Sequence, residues 1–486
     1  MFETKPPEID WLALRPVILV AVAGVLALVI EMFRPKKPNE PIVAVSLIGL
    51  ATAMMAVIQT MTEGFFTTFG GMVFFDGFGS SMQLLILIGA FLSIVFSEGY
   101  LREKRIAFGE FYPLALWATA GAMIMATTQN LLMLFIGLEV LSISLYVMAG
   151  MSRSETKSEE SAMKYFLLGS FATGFFLYGI ALIYGGTGTL HLPDVFFALQ
   201  AGAAGAKALI YFGFTFILIG LGFKAAFVPF HQWTPDVYQG APTNVTAFMA
   251  AASKIAAFAA LWRVLQSAGP LQEFWLPVLS WLAVLTMVVG NLIACVQTDI
   301  KRILAYSSIA HAGYVLVAVV AHFKDPQQVS ATPTIYYLLV YTLATVGAFA
   351  VVSLVARNGT ERTRLEDLCG LKTRSPFAAW SLVVFTLSLI GVPILPGFFG
   401  KLMIFESAIQ AQESWLAIVL AATSAISVYY YIAIMRAALV DEGLPSASEP
   451  MRPRPGVVTT CVLCLAGFAA VVLFQQHVLP IIGINL

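Results

Sequence analysis

Residues 222–254 read GFKAAFVPFHQWTPDVYQGAPTNVTAFMAAASK, and they place Lys224 and Lys254 in runs otherwise apolar enough to lie in a lipid bilayer. A lysine in hydrocarbon costs roughly 3 kcal/mol on insertion scales, and intramembrane ionisable groups mark ion pathways. Pro229 and Pro235 fall between the two lysines, with His231 beside them, so the helix carrying Lys224 is expected to break before the helix carrying Lys254 begins. Two lysines around a broken helix point to the centre of an ion pathway rather than to packing.

The surrounding composition agrees. Only 11% of the 486 residues are charged and 59% are hydrophobic, where a soluble domain has roughly 25% charged; mean hydropathy is +0.86. This is a polytopic membrane protein. Net charge is zero, and no basic patch is available for nucleic acid. Cys461 and Cys464 sit in an apolar helix without a second pair, which reads as helix packing, not a metal site. The N-terminus lacks a signal-peptide pattern, and the apolar run at about 15–33 reads as a retained span.

At about 20 residues per crossing, the chain reads as all-α with fourteen spans, from 15–33 to 457–478. Two are too long for a straight crossing. Span 7 (207–238) is cut by Pro229, and span 12 (377–411) by Gly391, Pro393, Pro396 and Gly397 in GVPILPGFFGKL. Five spans separate the interruptions, so the two helices enter from opposite faces. Interrupted helices in matching positions point to inverted repeats around an ion site. The expected division is 1–110 for the N-terminal spans, 111–265 and 266–437 for two five-helix repeats, and 438–486 for the last loop and span. Of the 27 Lys and Arg residues, 19 fall in loops after odd-numbered spans and three in loops after even ones. By the positive-inside rule the odd loops are cytoplasmic and both termini lie outside.

The ionisable groups left at membrane depth are Glu139, Lys224, Lys254, His311 and Lys401, with His231 and Glu406 as secondary candidates. Glu139 needs a cation, and Lys224 is its expected partner. Lys254 has no break beside it. His311, among small residues, fits a helix-packing histidine as well as a relay, and His231 fits a membrane surface or funnel mouth. Glu406 stands either as partner of Lys401 or as an end-of-helix charge. Desolvation favours a neutral amine and a nearby carboxylate favours the ammonium, so such a row of groups suits proton transfer. Nothing in the chain resembles a nucleotide loop, which excludes a stand-alone NADH dehydrogenase.

Three motifs, HQWTPDVYQGAPT (231–243), DIKRILAYSSIAHAGY (299–314) and GVPILPGFFGKL (391–402), resemble the antiporter-like subunits of respiratory complex I. The resemblance is dense over spans 4–13. It implies a membrane-arm subunit that drives proton translocation without a redox centre or metal, with FMN, iron–sulfur clusters and quinone elsewhere in the complex. It implies other antiporter-like and small membrane subunits, and lipids, as partners, and a bacterial inner membrane as location. The family's buried glutamate and lysines would fall on Glu139, Lys224, Lys254 and Lys401. A lysine at 401 and an end at Leu486, with no room for a long lateral helix, favour the N-type branch. Subunits of multisubunit Na⁺/H⁺ antiporters and of membrane-bound hydrogenases share the core and are the alternative.

The topology is open to test. A cysteine introduced at Ser154 is expected to react with an impermeant thiol reagent in inverted vesicles and not in right-side-out ones; outside labelling would reverse the assignment.

Overall fold

A computed structural model describes residues 9–33, 39–64, 66–202, 207–356, 359–441 and 454–473. The expectations for Lys5, Arg34, Lys36, Lys37, Arg357, Arg452, most of the 438–456 loop and the chain beyond residue 473 lie outside the described residues. The chain opens with α1 (Trp11–Phe33) and α2 (Glu40–Glu63), a short hairpin of β1 (Phe66–Thr68) and β2 (Val73–Phe75), and α3 (Gly77–Glu103). It continues through α4 (Phe111–Thr127), α5 (Leu131–Ala149), α6 (Thr156–Thr187), the short α7 (Leu192–Gln200), α8 (Lys207–Ala225) and α9 (Trp233–Gly240). α10 (Thr243–Phe248) passes through a π-helical turn, Met249–Ser253, into α11 (Lys254–Ser267). After α12 (Gln272–Ala294), α13 (Ile300–Lys324) and α14 (Thr332–Ser353) come α15 (Leu371–Arg374), α16 (Pro376–Ile390), α17 (Pro396–Gln410), α18 (Ser414–Leu439) and α19 (Pro455–Leu473).

Twelve segments among the described residues are long and apolar enough to cross a membrane. The shorter α4 and the interrupted pair α16–α17 complete the fourteen spans expected from the sequence. The hairpin and α7 were not legible there, being too short to leave a periodic signal. The segment Thr243–Ser267, α13 and α14 are buried along their whole apolar windows, whereas α1 is mostly outward-facing. The uniformly apolar pattern therefore has two causes: lipid around the rim and protein around the centre.

Two stretches of the chain are fastened alike. Asn130 caps the start of α5 and Asp299 the start of α13, each side chain accepting from two backbone N–H groups. Each cap also lies in an isolated bridge to the connector beyond the next helix, Asn130 with His191 and Asp299 with Arg364. The flanking bonds match as well. Leu131 N–H donates to Leu190 O and Leu192 N–H to Gln129 O; Ile300 N–H donates to Thr363 O and Leu365 N–H to Thr298 O.

Both breaks satisfy their freed backbone groups inside the protein, as hydrocarbon requires. α8 ends at Ala225, earlier than Pro229 alone dictates, because Ala226 takes φ +64°. Phe223 O then accepts from Trp233 Nε1 (2.8 Å), and Val228 N–H donates to Thr286 Oγ1 of α12 (3.0 Å). In span 12 the helix stops at Gly391 in the left-handed conformation and resumes with Pro396. A third irregularity, the π-turn, corrects the expectation that nothing interrupts the helix beside Lys254.

Gly397 permits the close return of α17 onto α16, since an added Cβ would sit 1.8 Å from Ser388 O. Gly397→Ala is expected to cost about 1–3 kcal/mol or more through overpacking, lowering the thermal inactivation midpoint of the purified protein. Gly174→Ala, where nothing lies within 4 Å, should leave it unchanged or raise it.

Candidate functional site

Lys224, Lys254, His311 and Lys401 lie on α8, α11, α13 and α17, and all four are buried, at 5, 3, 2 and 7% exposure. An ammonium in such a place needs acceptors from the protein. Lys224 Nζ donates to Ser142 Oγ (2.9 Å) and Tyr165 OH (3.3 Å) and lies over the Tyr165 ring. Lys254 Nζ donates to the carbonyl of Ser308 and to Ser308 Oγ (2.5 Å), with the Tyr341 ring 5.6 Å away. Lys401 Nζ donates to Ile390 O (2.8 Å), the carbonyl freed by the break, and to Ser424 Oγ (2.6 Å). It also lies 5.0 Å from the centre of the Tyr314 ring.

His311 stands on α13, held by hydroxyls. Its Nδ1 is hydrogen-bonded to Tyr337 OH (2.7 Å) and its Nε2 to Tyr431 OH (3.1 Å). Tyr431 OH in turn bonds Ser307 Oγ, the residue next to the Ser308 that receives Lys254. Asn291 Nδ2 donates to Tyr314 OH (3.0 Å), and Asn291 Oδ1 accepts from Tyr430 OH (3.0 Å). Hydroxyls both donate and accept, so the Ser307–Tyr431–His311–Tyr337 set can be bonded with its protons in either direction.

Glu139 does not pair with Lys224. Its carboxylate is half-buried on α5 and accepts from Thr173 Oγ1 (2.8 Å), while the Lys224 ammonium turns to Ser142, three residues further along the same helix. The expected ion pair is thus replaced by a carboxylate and an ammonium acting on each other across a gap. Glu406 lies on an exposed position of α17, and Lys401 is bonded to other groups. His231 lies between α8 and α9, outside the row, with a buried Nδ1.

Sequence reasoning passed over the hydroxyls. Tyr165, Ser308, Tyr337, Tyr341 and Tyr431 belong to the site because they receive or relay its charged groups. A signal was present in TIYYLLVYT (334–342) and VYYYIA (428–433), since a buried phenol usually has a hydrogen-bond partner.

A model of the NADH:quinone oxidoreductase/Mrp antiporter transmembrane family matches residues 128–427. NADH-quinone oxidoreductase subunit N of Trichlorobacter lovleyi is 42% identical over 426 residues, 87% of this chain and 86% of the relative. The subunit N of Salinibacter ruber is 40% identical over 463 residues, 94% of this chain and 91% of the relative. A chain of respiratory complex I from Thermus thermophilus superposes with a TM-score of 0.80 at 38% identity, covering 97% of this chain and 100% of that one. A chain of the Mrp complex from Dietzia gives a TM-score of 0.83 at 22% identity, over 97% of this chain and 96% of that one, a likeness of fold.

Tyr431→Phe removes the hydroxyl shared by Ser307 and His311, and is expected to destabilise the protein by about 1–3 kcal/mol. Tyr429→Phe, at a site 67% exposed, should change stability by less than about 0.5 kcal/mol. Thermal inactivation of the two purified variants distinguishes a working network from adjacency without energetic weight.

Proposed function

Because the chain belongs to the NADH:quinone oxidoreductase/Mrp antiporter transmembrane family, we propose that its row of buried residues carries protons, with Lys224, Lys254, His311 and Lys401 as carriers. The protein is a membrane-arm subunit of NADH:quinone oxidoreductase, a proton-translocating enzyme complex, and other membrane subunits of that complex are its partners. The subunit itself holds no redox group in this reading. FMN, iron–sulfur clusters and quinone act elsewhere, and their energy reaches this chain through its neighbours. The observation that carries the reading is the set of buried lysines and the histidine held by serine and tyrosine hydroxyls, with Lys254 and His311 on segments buried along their whole apolar windows.

Each lysine alternates between an ammonium and a neutral amine. Ser308 and the freed carbonyl of residue 390 favour the ammonium, and low-dielectric surroundings favour the amine, so a small change in the local field suffices to load or unload a proton. Glu139 supplies such a field at Lys224 from the far side of Ser142 and Thr173. Asn244 Oδ1 and Thr342 Oγ1, buried and without a protein partner, are suited to hold bridging water. Residues 111–265 and 266–437 form the two repeats, with 1–110 and 438–486 added around them. The location is the bacterial inner membrane, with both termini periplasmic.

Lys254→Ala is expected to lower NADH-driven quinone reduction and pumping together, by roughly ten-fold or about 1.4 kcal/mol, because a blocked proton step stalls the coupled electron step. Lys254→Arg should also impair both, since arginine keeps its proton. Glu139→Gln should leave assembly intact, there being no ion pair to break, and reduce turnover more than Glu139→Asp. Normal pumping per assembled complex in Lys254→Ala and Glu139→Gln would remove the carrier reading.

A further inference from the structure

The connector between α14 and α16 sends one acid inward. Glu361, 9% exposed at its side chain, accepts from Tyr100 OH (2.9 Å), Lys301 Nζ (3.1 Å) and Thr243 Oγ1. Lys301 donates also to Ala241 O (2.5 Å), and Tyr100 OH accepts from the Thr243 backbone N–H (2.9 Å). On the other side Lys104, wholly buried, pairs with Glu155 and lies 3.9 Å from the second Glu361 oxygen. Burial would raise the Glu361 carboxyl, but Lys301 and then Lys104 outweigh it and hold the group below the usual carboxylate range.

Thr243 is the first residue of α10 and Lys301 the second of α13. Two helices that meet deep in the protein therefore begin at one carboxylate and run in the same direction. Eleven residues separate Thr243 from Lys254, one of them taken up by the π-turn, a rise of roughly 15 Å, and seven separate Lys301 from Ser308, roughly 10 Å. Helical side chains lean toward the N-terminus, and a lysine stem of about 6 Å closes that difference. Lys254 Nζ meets Ser308 Oγ (2.5 Å) with the two helix starts joined through Glu361.

We propose that Glu361 is a positioning residue for the proton-carrying step: by binding the starts of α10 and α13 to one carboxylate, it sets the register that delivers Lys254 to Ser308. The inference rests on Lys254 being a carrier. It differs from simple charge balance, in which Glu361 would serve only to neutralise Lys104 and Lys301.

The test compares NADH-driven quinone reduction per assembled complex in membranes carrying Glu361→Gln, Glu361→Ala, and Glu361→Ala with Lys104→Met. Gln keeps an acceptor oxygen; the double variant restores charge balance without restoring the acceptor. Register setting gives a kcat roughly ten-fold down in Glu361→Ala, equally low in the double variant and higher in Glu361→Gln, with KM for NADH and quinone unchanged. Recovery of wild-type kcat in the double variant overturns the proposal in favour of charge balance. If Glu361→Ala fails to assemble, Glu361→Asp carries the test: its shorter reach should lower kcat per complex, and a wild-type value overturns the proposal. A Lys254→Ala control separates the two levels. Normal turnover there defeats the carrier reading itself, whereas its loss beside a normal Glu361→Ala defeats only the register.

Discussion

An ammonium in the interior of a membrane protein must be solvated by the protein, and that constraint organises the rest of this chain. Each of the three lysines meets the same kind of receptor: a serine hydroxyl, joined by a main-chain carbonyl at Lys254 and Lys401 and by a tyrosine hydroxyl at Lys224. A carbonyl inside an α-helix is already occupied by the N–H four residues on. Lys401 takes one freed by the break at 391–395, whereas Ser308 O, inside the uninterrupted α13, receives Lys254 through its second lone pair. At Lys401 irregular backbone and buried charge thus belong to one solution, in which the chain gives up a helical hydrogen bond where it needs an acceptor.

Much of this is legible in the amino-acid sequence. Fourteen spans, two broken ones and a row of lysines follow from hydropathy, from Pro229 and Pro396, and from the cost of charge in hydrocarbon. What stayed hidden has identifiable causes. The π-turn lies in MAAAS, where no side chain differs from those of an ordinary helix. The hydroxyl relay is set by which faces of α13, α14 and α18 meet, a fact of packing that no single span records. The Glu139–Lys224 contact was inferred from charge alone. Ser142 and Thr173 take the two bonds that reasoning assigned to the pair.

That separation matters energetically. A contact ion pair sealed in a membrane protein is hard to switch, because parting the charges leaves each unsolvated. A carboxylate and an ammonium each satisfied by neutral hydroxyls still feel one another, and small displacements alter the interaction without breaking a bond. The arrangement favours modulation over stability. The same economy appears where Asn130 and Asp299 hold matching connectors against matching helix starts. Rigid ends frame a responsive middle.

The π-turn before Lys254 has a consequence for how this protein holds information. A helix turns by 100° with each residue, so the single extra residue accommodated within Met249–Ser253 decides which way the lysine faces. Ala250, Ala251 and Ala252 are chemically interchangeable, and exchanging one for another small residue alters little. What matters is how the backbone winds through them. Were the turn to relax into an ordinary α-helix with the run intact, Lys254 would rotate by about 100° away from Ser308 while composition, hydropathy and charge stayed the same. At this point the aim of a buried charge is set by the winding of the main chain, and not by the identity of any letter.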